Sequence, residues 1–139
     1  MSENISINCL AFQLSQARKK VMKWYETYLK TLGINISYIY VMEVINDNGP
    51  SSLTFIARQL DLEKATVSNL LARMERDDII IRSSEKGRRS YEITLTKKGY
   101  SLLNEALKGL KSSDEQLDQL LNGNLEDIKS AISIINRNI

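Results

Sequence analysis

Apolar residues recur every three or four positions along the first stretch of the chain, from residue 7 to about residue 32. The residues that follow this spacing are Leu10, Leu14, Ala17, Val21, Trp24, Tyr28 and Leu32. Such spacing places apolar side chains on one face of a long amphipathic helix. Asn35 and Ser37 offer N-caps for a second, apolar-rich helix, which should end before Asn48, Gly49 and Pro50.

Two shorter amphipathic segments follow, with only a tight connection between them. Ser52 can cap a helix that runs through Leu60, and the next helix is expected from about residue 63 to residue 77. The inward face of this second helix is formed by Val67, Leu70, Leu71 and Met74. Two helices joined by a turn of about three to four residues form a helix-turn-helix.

The pattern changes from helical to strand-like after residue 78. An apolar run at residues 79–81 is followed by a polar run at residues 82–90, and then Tyr91, Ile93 and Leu95 alternate with polar residues. Alternation at period two is typical of a half-buried strand, so the two segments predict a β-hairpin. Gly87 suits its exposed tip, because glycine tolerates the positive φ of a tight turn. Such a hairpin beside a helix-turn-helix is called a wing.

Two further helices are expected after the hairpin. Thr96 can cap a helix whose apolar face continues to Leu121, and Gly109 weakens this helix without breaking it. Asn122, Gly123 and Asn124 then interrupt the chain before a last amphipathic helix. The pattern therefore predicts one mainly α domain over residues 1–139, a winged helix-turn-helix with a small β-hairpin wing and long terminal helices.

The composition argues against an enzyme and against a membrane protein. The chain has no histidine and one cysteine, Cys9, which excludes an internal disulfide, the usual structural zinc sites and histidine-dependent catalytic triads. No nucleotide-binding motif is present, so we expect no catalysis, no cofactor and no metal. No stretch reaches the roughly 20 apolar residues of a membrane span, and residues 1–10 lack the pattern of a signal peptide. We expect a cytoplasmic protein.

The charge is small in total but uneven in distribution. The net charge is +2, yet one segment holds six cations, opposed only by Glu85 and Glu92: Arg82, Lys86, Arg88, Arg89, Lys97 and Lys98. Arg88 and Arg89 fall at the predicted wing tip, where they could enter a DNA minor groove, because a narrow A·T-rich groove concentrates negative potential. The alternative is a solvated charged turn.

The second helix of the helix-turn-helix has side chains that suit the major groove. Asn69 could contact adenine through two hydrogen bonds, Thr66 could contact a thymine methyl group, and Arg73 could reach phosphate or guanine. A solvated helix face is the alternative interpretation. The candidate DNA-binding residues are Ser52, Lys64, Ala65, Thr66, Ser68, Asn69, Arg73, Arg88 and Arg89.

An ordered set of motifs resembles the MarR (multiple antibiotic resistance regulator) family of winged helix-turn-helix regulators. The similar segments are residues 53–60, 65–75 and 78–82, the pair Arg88-Arg89 and the run 95–99. The resemblance covers almost the whole chain. It implies a DNA-binding lobe at about residues 34–99 and dimerisation helices at about residues 5–33 and 100–139. One position departs from the family, which usually has an aspartate where this sequence has Gly87, so bracing of Arg89 is in question.

The terminal helices suggest a homodimer, because they carry more apolar surface than a small winged helix can cover. A two-fold dimer reads a pseudo-palindromic operator. The family resemblance also implies a small aromatic or anionic effector, bound between the dimerisation helices and the DNA-binding lobe. By position, Arg18 and Tyr38 are similar to residues that line this crevice, where arginine can neutralise a carboxylate and tyrosine can stack.

The function expected from these features is sequence-specific binding of double-stranded DNA by a dimeric transcriptional repressor that responds to a small molecule. A protein-interaction module with a winged helix that does not bind DNA is the alternative. Cys9 is also similar in position to the reactive cysteine of peroxide-sensing relatives. Gln13 stands where those relatives commonly have tyrosine, however, and a thiol beside Leu10 is more often a small packing residue.

Overall fold

Seven α-helices and one antiparallel pair of strands make up residues 5–83 and 91–139, which are the residues that the computed structural model describes. The elements in chain order are α1 (Ile5–Asn8), α2 (Leu10–Leu29), a 3-10 turn (Lys30–Leu32), α3 (Ile36–Asn48), α4 (Leu53–Leu60), α5 (Lys64–Arg76), β1 (Ile80–Ser83), β2 (Glu92–Leu95), α6 (Lys97–Leu120) and α7 (Leu125–Asn138). Ile80 pairs with Leu95, and Ser83 pairs with Glu92. The predicted winged helix-turn-helix is confirmed. Within these ranges no helix is both long enough and apolar enough to cross a membrane.

Three helices begin at the N-caps that the sequence predicts. The Asn35 side chain accepts the Tyr38 N–H at 3.2 Å, and the Ser52 hydroxyl oxygen accepts the Phe55 N–H at 3.1 Å. The Thr96 hydroxyl oxygen likewise accepts the Gly99 N–H at 2.9 Å. Each bond satisfies a backbone donor that the first helical turn would otherwise leave unpaired. Local sequence therefore sets the starts of α3, α4 and α6.

A single apolar core joins the helix-turn-helix, the wing strands and α6. Its largest fully buried side chains are Leu29, Ile39, Met42, Ile45, Ile56, Leu71, Met74, Ile79, Ile80, Ile93, Leu103 and Val41. Most of them belong to α3, α5 and the hairpin, and α2 contributes only Leu29 to the fully buried set. The DNA-binding lobe predicted from the sequence thus contains most of the core.

Three aromatic side chains of α2 attach this helix to α6. The Trp24 indole N–H donates to the Ser113 carbonyl at 3.1 Å, and the Tyr28 hydroxyl donates to the Glu105 carbonyl at 3.0 Å. The Tyr25 hydroxyl donates to the Asp114 carboxylate at 2.5 Å. Tyr28 also lies against Gly109, where a Cβ atom would overlap its ring. Gly109 therefore allows close packing within a continuous α6, as the sequence predicts.

The first helix differs from the prediction of an uninterrupted helix that starts at residue 7. Cys9 has an extended backbone, with φ −68° and ψ 152°, and separates α1 from α2. The prediction of continuity is wrong at this residue. Helices in proteins draw most of their stability from packing, and α1 buries no side chain. An apolar period alone therefore does not keep this first segment in one helix with α2.

Tyr91 also departs from its prediction as an inward-facing strand residue. β2 begins at Glu92, whose partner is Ser83 of β1, so Tyr91 lies beyond the last described pair of the hairpin. The side chain of Tyr91 is 54% exposed, whereas Ile93 and Leu95 are buried. Period-two alternation thus predicts the inward residues correctly only where the strand still covers the core.

A polar junction connects the end of α5 to the start of α6. The Thr96 hydroxyl lies 2.6 Å from the Asp78 carbonyl oxygen, and the Thr96 N–H donates to the Ile79 carbonyl at 3.0 Å. Gly99 lies so close to the same Ile79 carbonyl that a Cβ atom would overlap its oxygen. Residues 95–99 resemble a family motif, and packing explains two of them. Thr96 caps α6, and Gly99 lets the first turn of α6 lie against the Ile79 carbonyl.

We expect Gly99→Ala to destabilise the protein by several kcal/mol, because the new methyl group would press against backbone that is already hydrogen-bonded. Ser101→Ala, two residues later in the same helix, is the matched control, because Ser101 is exposed and alanine has the higher helix propensity. Urea denaturation measures both. Equal loss of stability in the two variants would contradict this account.

Candidate nucleic-acid interface

The turn between α4 and α5 fixes how the two helices of the helix-turn-helix are placed. Asp61 ends α4 in the left-handed region, with φ 53°, which Asp tolerates better than most residues. The Leu62 N–H then donates to the Ala57 carbonyl at 3.0 Å. On α5, Val67, Leu70, Leu71 and Met74 are buried, as predicted. The opposite face of α5 is consequently held toward solvent on a rigid base.

The exposed face of α5 carries the residues that the sequence selects for DNA contact. Lys64, Ala65, Thr66, Asn69 and Arg73 are exposed, and Ser68 is half-buried. In residues 5–83 and 91–139 the side chains of Thr66 and Asn69 make no hydrogen bond, and Lys64 and Arg73 form no ion pair. The donors and acceptors of this face are therefore available to a ligand.

The first turn of α5 adds backbone donors to the same surface. Glu63 is its N-cap residue, and no side chain accepts a hydrogen bond from the first turn at this cap. A helix N-terminus with free N–H groups carries partial positive charge and attracts phosphate. The carboxylates of Asp61 and Glu63 lie nearby and oppose this attraction in part. Lys64 supplies a compensating cation at the start of the helix.

An open pocket with a volume of about 770 Å³ lies between α4 and the start of α5. Thr54 and Arg58 of α4 line it, together with Lys64, Ala65 and Thr66 of α5. Thr54 and Arg58 are not among the DNA-binding residues predicted from the sequence. Their spacing of four residues on the polar side of α4 was a usable signal, since it places both on one helix face. Arg58 is exposed and adds a third cation, after Lys64 and Arg73, to the candidate interface.

Ser52 and the wing meet the interface at its other edge. Ser52 is half-buried, and its hydroxyl oxygen is used as the cap of α4. Its neighbour Ser51 exchanges two backbone hydrogen bonds with Ile93 of β2, at 3.1 and 2.8 Å, which holds the start of α4 against the hairpin. The predicted contacts Arg88 and Arg89, and the unusual Gly87, lie outside the described residues.

One ion pair joins the base of the wing to α5. The Arg82 Nε atom of β1 lies 3.2 Å from a Glu75 carboxylate oxygen, although the two groups lack the alignment of a hydrogen bond. Arg82 is mostly buried and Glu75 is half-exposed. This pair links the orientation of the hairpin to that of α5.

A smaller cavity, of about 250 Å³, lies between α2 and α3, away from the DNA-binding face. It is lined by Arg18, Val21, Met22, Tyr25, Ile36, Ser37 and Tyr40. Arg18 therefore lies where the sequence analysis expects an effector. Burial, followed by the hydrogen bond to Asp114, raises the pKa of Tyr25 far above its usual value, so its hydroxyl stays protonated and donates to Asp114.

Tyr38, the other predicted effector residue, is not among the residues that line this cavity. Its side chain is only 5% exposed, and its hydroxyl donates to the Asp77 carboxylate at 3.2 Å. Tyr40, two residues later on the same helix, borders the cavity instead. The structure thus brings Arg18 together with Tyr25 and Tyr40, while Tyr38 points toward the end of α5.

Cys9 has an exposed thiol at the break between α1 and α2. Its interpretation as a packing residue finds no support in the contacts of this chain, because the segment around it buries nothing.

Comparison with known proteins agrees with this architecture. The sequence model of the MarR family matches residues 32–90, which run from the end of the 3-10 turn into the wing. The regulator SarZ of Staphylococcus epidermidis is 28% identical over 97 residues, which cover 69% of this chain and 64% of SarZ. The regulator MgrA of Staphylococcus aureus is 32% identical over 95 residues, which cover 67% of this chain and 65% of MgrA. The match thus spans less than two thirds of the length of these relatives.

Among solved structures, the transcriptional repressor CouR has the same fold. Its complex with a 23-mer DNA duplex superposes with a TM-score of 0.87 and 22% identity, covering 98% of both chains. CouR bound to p-coumaroyl-CoA gives a TM-score of 0.89 and 19% identity, covering 100% of this chain and 99% of CouR. All three proteins are named as regulators, which is a non-enzymatic role, as the sequence predicts. This chain is thus similar in sequence and in fold to the MarR family of winged helix-turn-helix transcriptional regulators.

Proposed function

We propose that the protein is a dimeric transcriptional repressor that binds a specific double-stranded DNA sequence and releases it in response to a small molecule. The observation that carries this proposal is the exposed face of α5, whose polar side chains make no hydrogen bond or ion pair within the described residues and project from a rigid core. CouR is a structural relative with a related arrangement and was solved on a DNA duplex. The relatives lend no support to the alternative of an interaction module that does not bind DNA.

In this proposal, base selection falls to Thr66 and Asn69 of α5. Both are exposed in the first half of the helix, beside the small residue Ala65, which allows close approach to base edges. The side-chain amide of Asn69 can form two hydrogen bonds with adenine. Ser68 is half-buried and supports this face from its edge. We therefore assign sequence reading to the N-terminal half of α5.

The cations and helix N-termini around α5 provide the part of the DNA affinity that does not depend on base sequence. Lys64, Arg73 and Arg58 can contact phosphates, and the free amides at the start of α5 can do the same. Ser52 marks the N-terminus of α4 at the other edge. The wing arginines Arg88 and Arg89 are assigned to the minor groove on the basis of the sequence. A target on DNA is also why we propose a cytoplasmic location.

We expect Asn69→Ala to weaken binding to the cognate duplex by about 1 to 3 kcal/mol, because two hydrogen bonds to one base would be lost. Binding to a scrambled duplex should change little. The matched control is Asn104→Ala, which removes an exposed asparagine of α6 outside the helix-turn-helix. Fluorescence anisotropy measures affinity for a duplex selected from a random pool by the wild-type protein.

Wild-type protein that bound no duplex even at low salt would overturn the proposed function, because phosphate contacts strengthen as salt falls. DNA binding that Asn69→Ala and Asn104→Ala affected equally would leave a DNA-binding protein but remove Asn69 from base selection.

The proposed dimer forms through the terminal helices, that is, residues 5–33 and 100–139, while residues 34–99 form the DNA-binding lobe. α7 buries no side chain in the isolated chain. Two polar contacts connect it to α6. The Leu125 N–H donates to the Asp118 carboxylate at 2.9 Å, and Lys129 lies 4.0 Å from Asp114. Large apolar side chains remain exposed on these helices: Ile5, Ile7, Leu10, Leu14, Ile128 and Ile132. A second copy of the chain would cover them.

We expect Ile132→Glu to convert the dimer into monomers and to weaken DNA binding, because a charge would be buried in the interface. Ile132 is 40% exposed in the isolated chain, so the substitution should leave the fold intact. Ile81→Glu is the control, since this isoleucine is also exposed but lies on β1. Sedimentation equilibrium reports the oligomeric state. A fully dimeric Ile132→Glu protein would place the interface elsewhere.

The effector site in this proposal is the cavity between α2 and α3. Arg18 supplies a cation, the Ser37 hydroxyl can donate or accept, and Tyr25 and Tyr40 contribute aromatic surface. A volume of about 250 Å³ suits a compact aromatic acid. CouR is a relative that was solved with an anionic aromatic thioester, p-coumaroyl-CoA. Tyr38, expected at this site from the sequence, bonds to Asp77 instead.

We expect Arg18→Ala to weaken binding of salicylate, a simple aromatic acid, by tenfold or more, because a hydrogen bond to a charged group contributes about 1.5 to 3 kcal/mol. Lys19→Ala is the matched control, since Lys19 is an adjacent exposed cation that does not line the cavity. Calorimetry measures both affinities. Equal effects of the two substitutions would mean that only general charge attracts the ligand.

A further inference from the structure

Asp77, the residue that ends α5, is held by groups from three helices. Its carboxylate accepts the Tyr38 hydroxyl of α3 at 3.2 Å and lies 3.3 Å from the Arg76 Nε of α5. Its backbone carbonyl accepts the Lys98 ammonium group of α6 at 2.8 Å. The last turn of the DNA-reading helix is therefore fastened to the rest of the molecule through polar contacts at one residue.

Tyr38 reaches Asp77 from the part of α3 that borders the Arg18 cavity. Ile36, Ser37 and Tyr40 line the cavity, and Tyr38 lies among them in the chain with its own side chain turned to Asp77. Asn35 is the N-cap of this turn, and its side-chain oxygen accepts the Tyr38 N–H at 3.2 Å. A ligand that displaced the first turn of α3 would therefore displace the Tyr38 hydroxyl as well.

The bond between Tyr38 and Asp77 is intact at neutral pH on chemical grounds. Burial, and then the hydrogen bond to Asp77, raises the pKa of Tyr38, so its hydroxyl keeps its proton. The hydrogen bond from Arg76 lowers the pKa of Asp77, so its carboxylate stays charged and accepts. At 3.2 Å the bond is longer than the range of about 2.5 to 3.0 Å that is usual for hydroxyl donors to oxygen. A small movement of α3 would therefore break it.

We propose that Tyr38 is a positioning residue, whose hydroxyl bond to Asp77 transmits occupancy of the Arg18 cavity to the DNA-reading helix α5. This inference rests on the proposed function and adds the route by which the effector site regulates the DNA-binding face. A ligand changes DNA affinity only when it interacts differently with two arrangements of the protein. The arrangements here are α5 fastened to α3 through Asp77, and α5 released at that end.

A double-mutant cycle tests the route without requiring the natural effector. Val21→Trp fills the cavity from α2 with a large side chain, and Tyr38→Phe removes only the hydroxyl while keeping the buried ring. In the protein that retains Tyr38, we expect Val21→Trp to weaken binding to the selected duplex by about tenfold, which is within the range usual for the coupling of two sites. In the Tyr38→Phe background, the same filling should change affinity by less than about twofold.

Tyr28→Phe is the matched control for the loss of a tyrosine hydroxyl bond between helices. Its hydroxyl donates to the Glu105 carbonyl, at the contact of α2 with α6 rather than at α5. The full penalty of Val21→Trp should persist in the Tyr28→Phe background. If Tyr38→Phe acted only by lowering general stability, the penalty of Val21→Trp would be lost in the Tyr28→Phe background as well.

Variants at Asp77 repeat the test from the other end of the bond, and they serve even if Tyr38→Phe fails to fold. Asp77→Ala removes the acceptor and should abolish the penalty of Val21→Trp. Asp77→Asn keeps an oxygen that can accept the Tyr38 hydroxyl and should preserve most of it. Rescue by the conservative variant is the result that a merely structural role of Asp77 would not produce.

The inference is overturned if Val21→Trp carries the same penalty with and without the Tyr38 hydroxyl, or if it carries none in the wild-type background. Either result leaves the proposed function standing, provided that the wild-type protein still discriminates the selected duplex from a scrambled one. Failure of that discrimination would remove the proposed function itself, so the two failures are distinguishable.

Discussion

Burial of one face of α5 is the constraint on which the proposed DNA-binding surface depends. Val67, Leu70, Leu71 and Met74 each retain at most 2% of their exposure, and burial of such side chains contributes about 1.5 to 3 kcal/mol apiece. Because these four residues share one face, the rotation of the helix about its axis is fixed. Thr66 and Asn69 are held outward by the same packing that holds Leu70 inward. The outward face of α5, which is the proposed DNA-reading face, is thus a direct consequence of the core.

Rotation alone does not fix the tilt of α5, and polar contacts at its C-terminal end supply that restraint. Thr96 bonds to the backbone at residues 78 and 79, Lys98 bonds to Asp77, and Arg82 pairs with Glu75. These contacts lie at the surface or at its edge, so each contributes little free energy compared with the core. Their directionality makes them suited to selecting one of several nearby orientations. The end of α5 is therefore the part of the reading helix that a modest force could reorient.

The terminal helices contribute less to the apolar core than the proposed DNA-binding lobe does. α6 is shared by both regions, since Leu103 and Ala106 belong to the core, while Leu120 is exposed. α1 and α7 bury nothing, and α2 is attached to α6 largely through the side chains of Trp24, Tyr25 and Tyr28. The cavity at Arg18 lies at the boundary between these regions. A ligand there would contact both a terminal helix and the first turn of α3.

The sequence by itself determined the features that depend on near neighbours in the chain. Asn35, Ser52 and Thr96 cap their helices as predicted, and the helical period identified the buried face of α5, because caps and faces depend on residues three or four positions apart. Only the tertiary structure decided the contact between Tyr38 and Asp77, which are 39 residues apart, and the place of Arg58 beside Lys64. No local pattern in the sequence specifies which distant residue the Tyr38 hydroxyl meets. The break at Cys9 and the exposure of Tyr91 have the same origin, since both depend on where the core stops supporting a regular element.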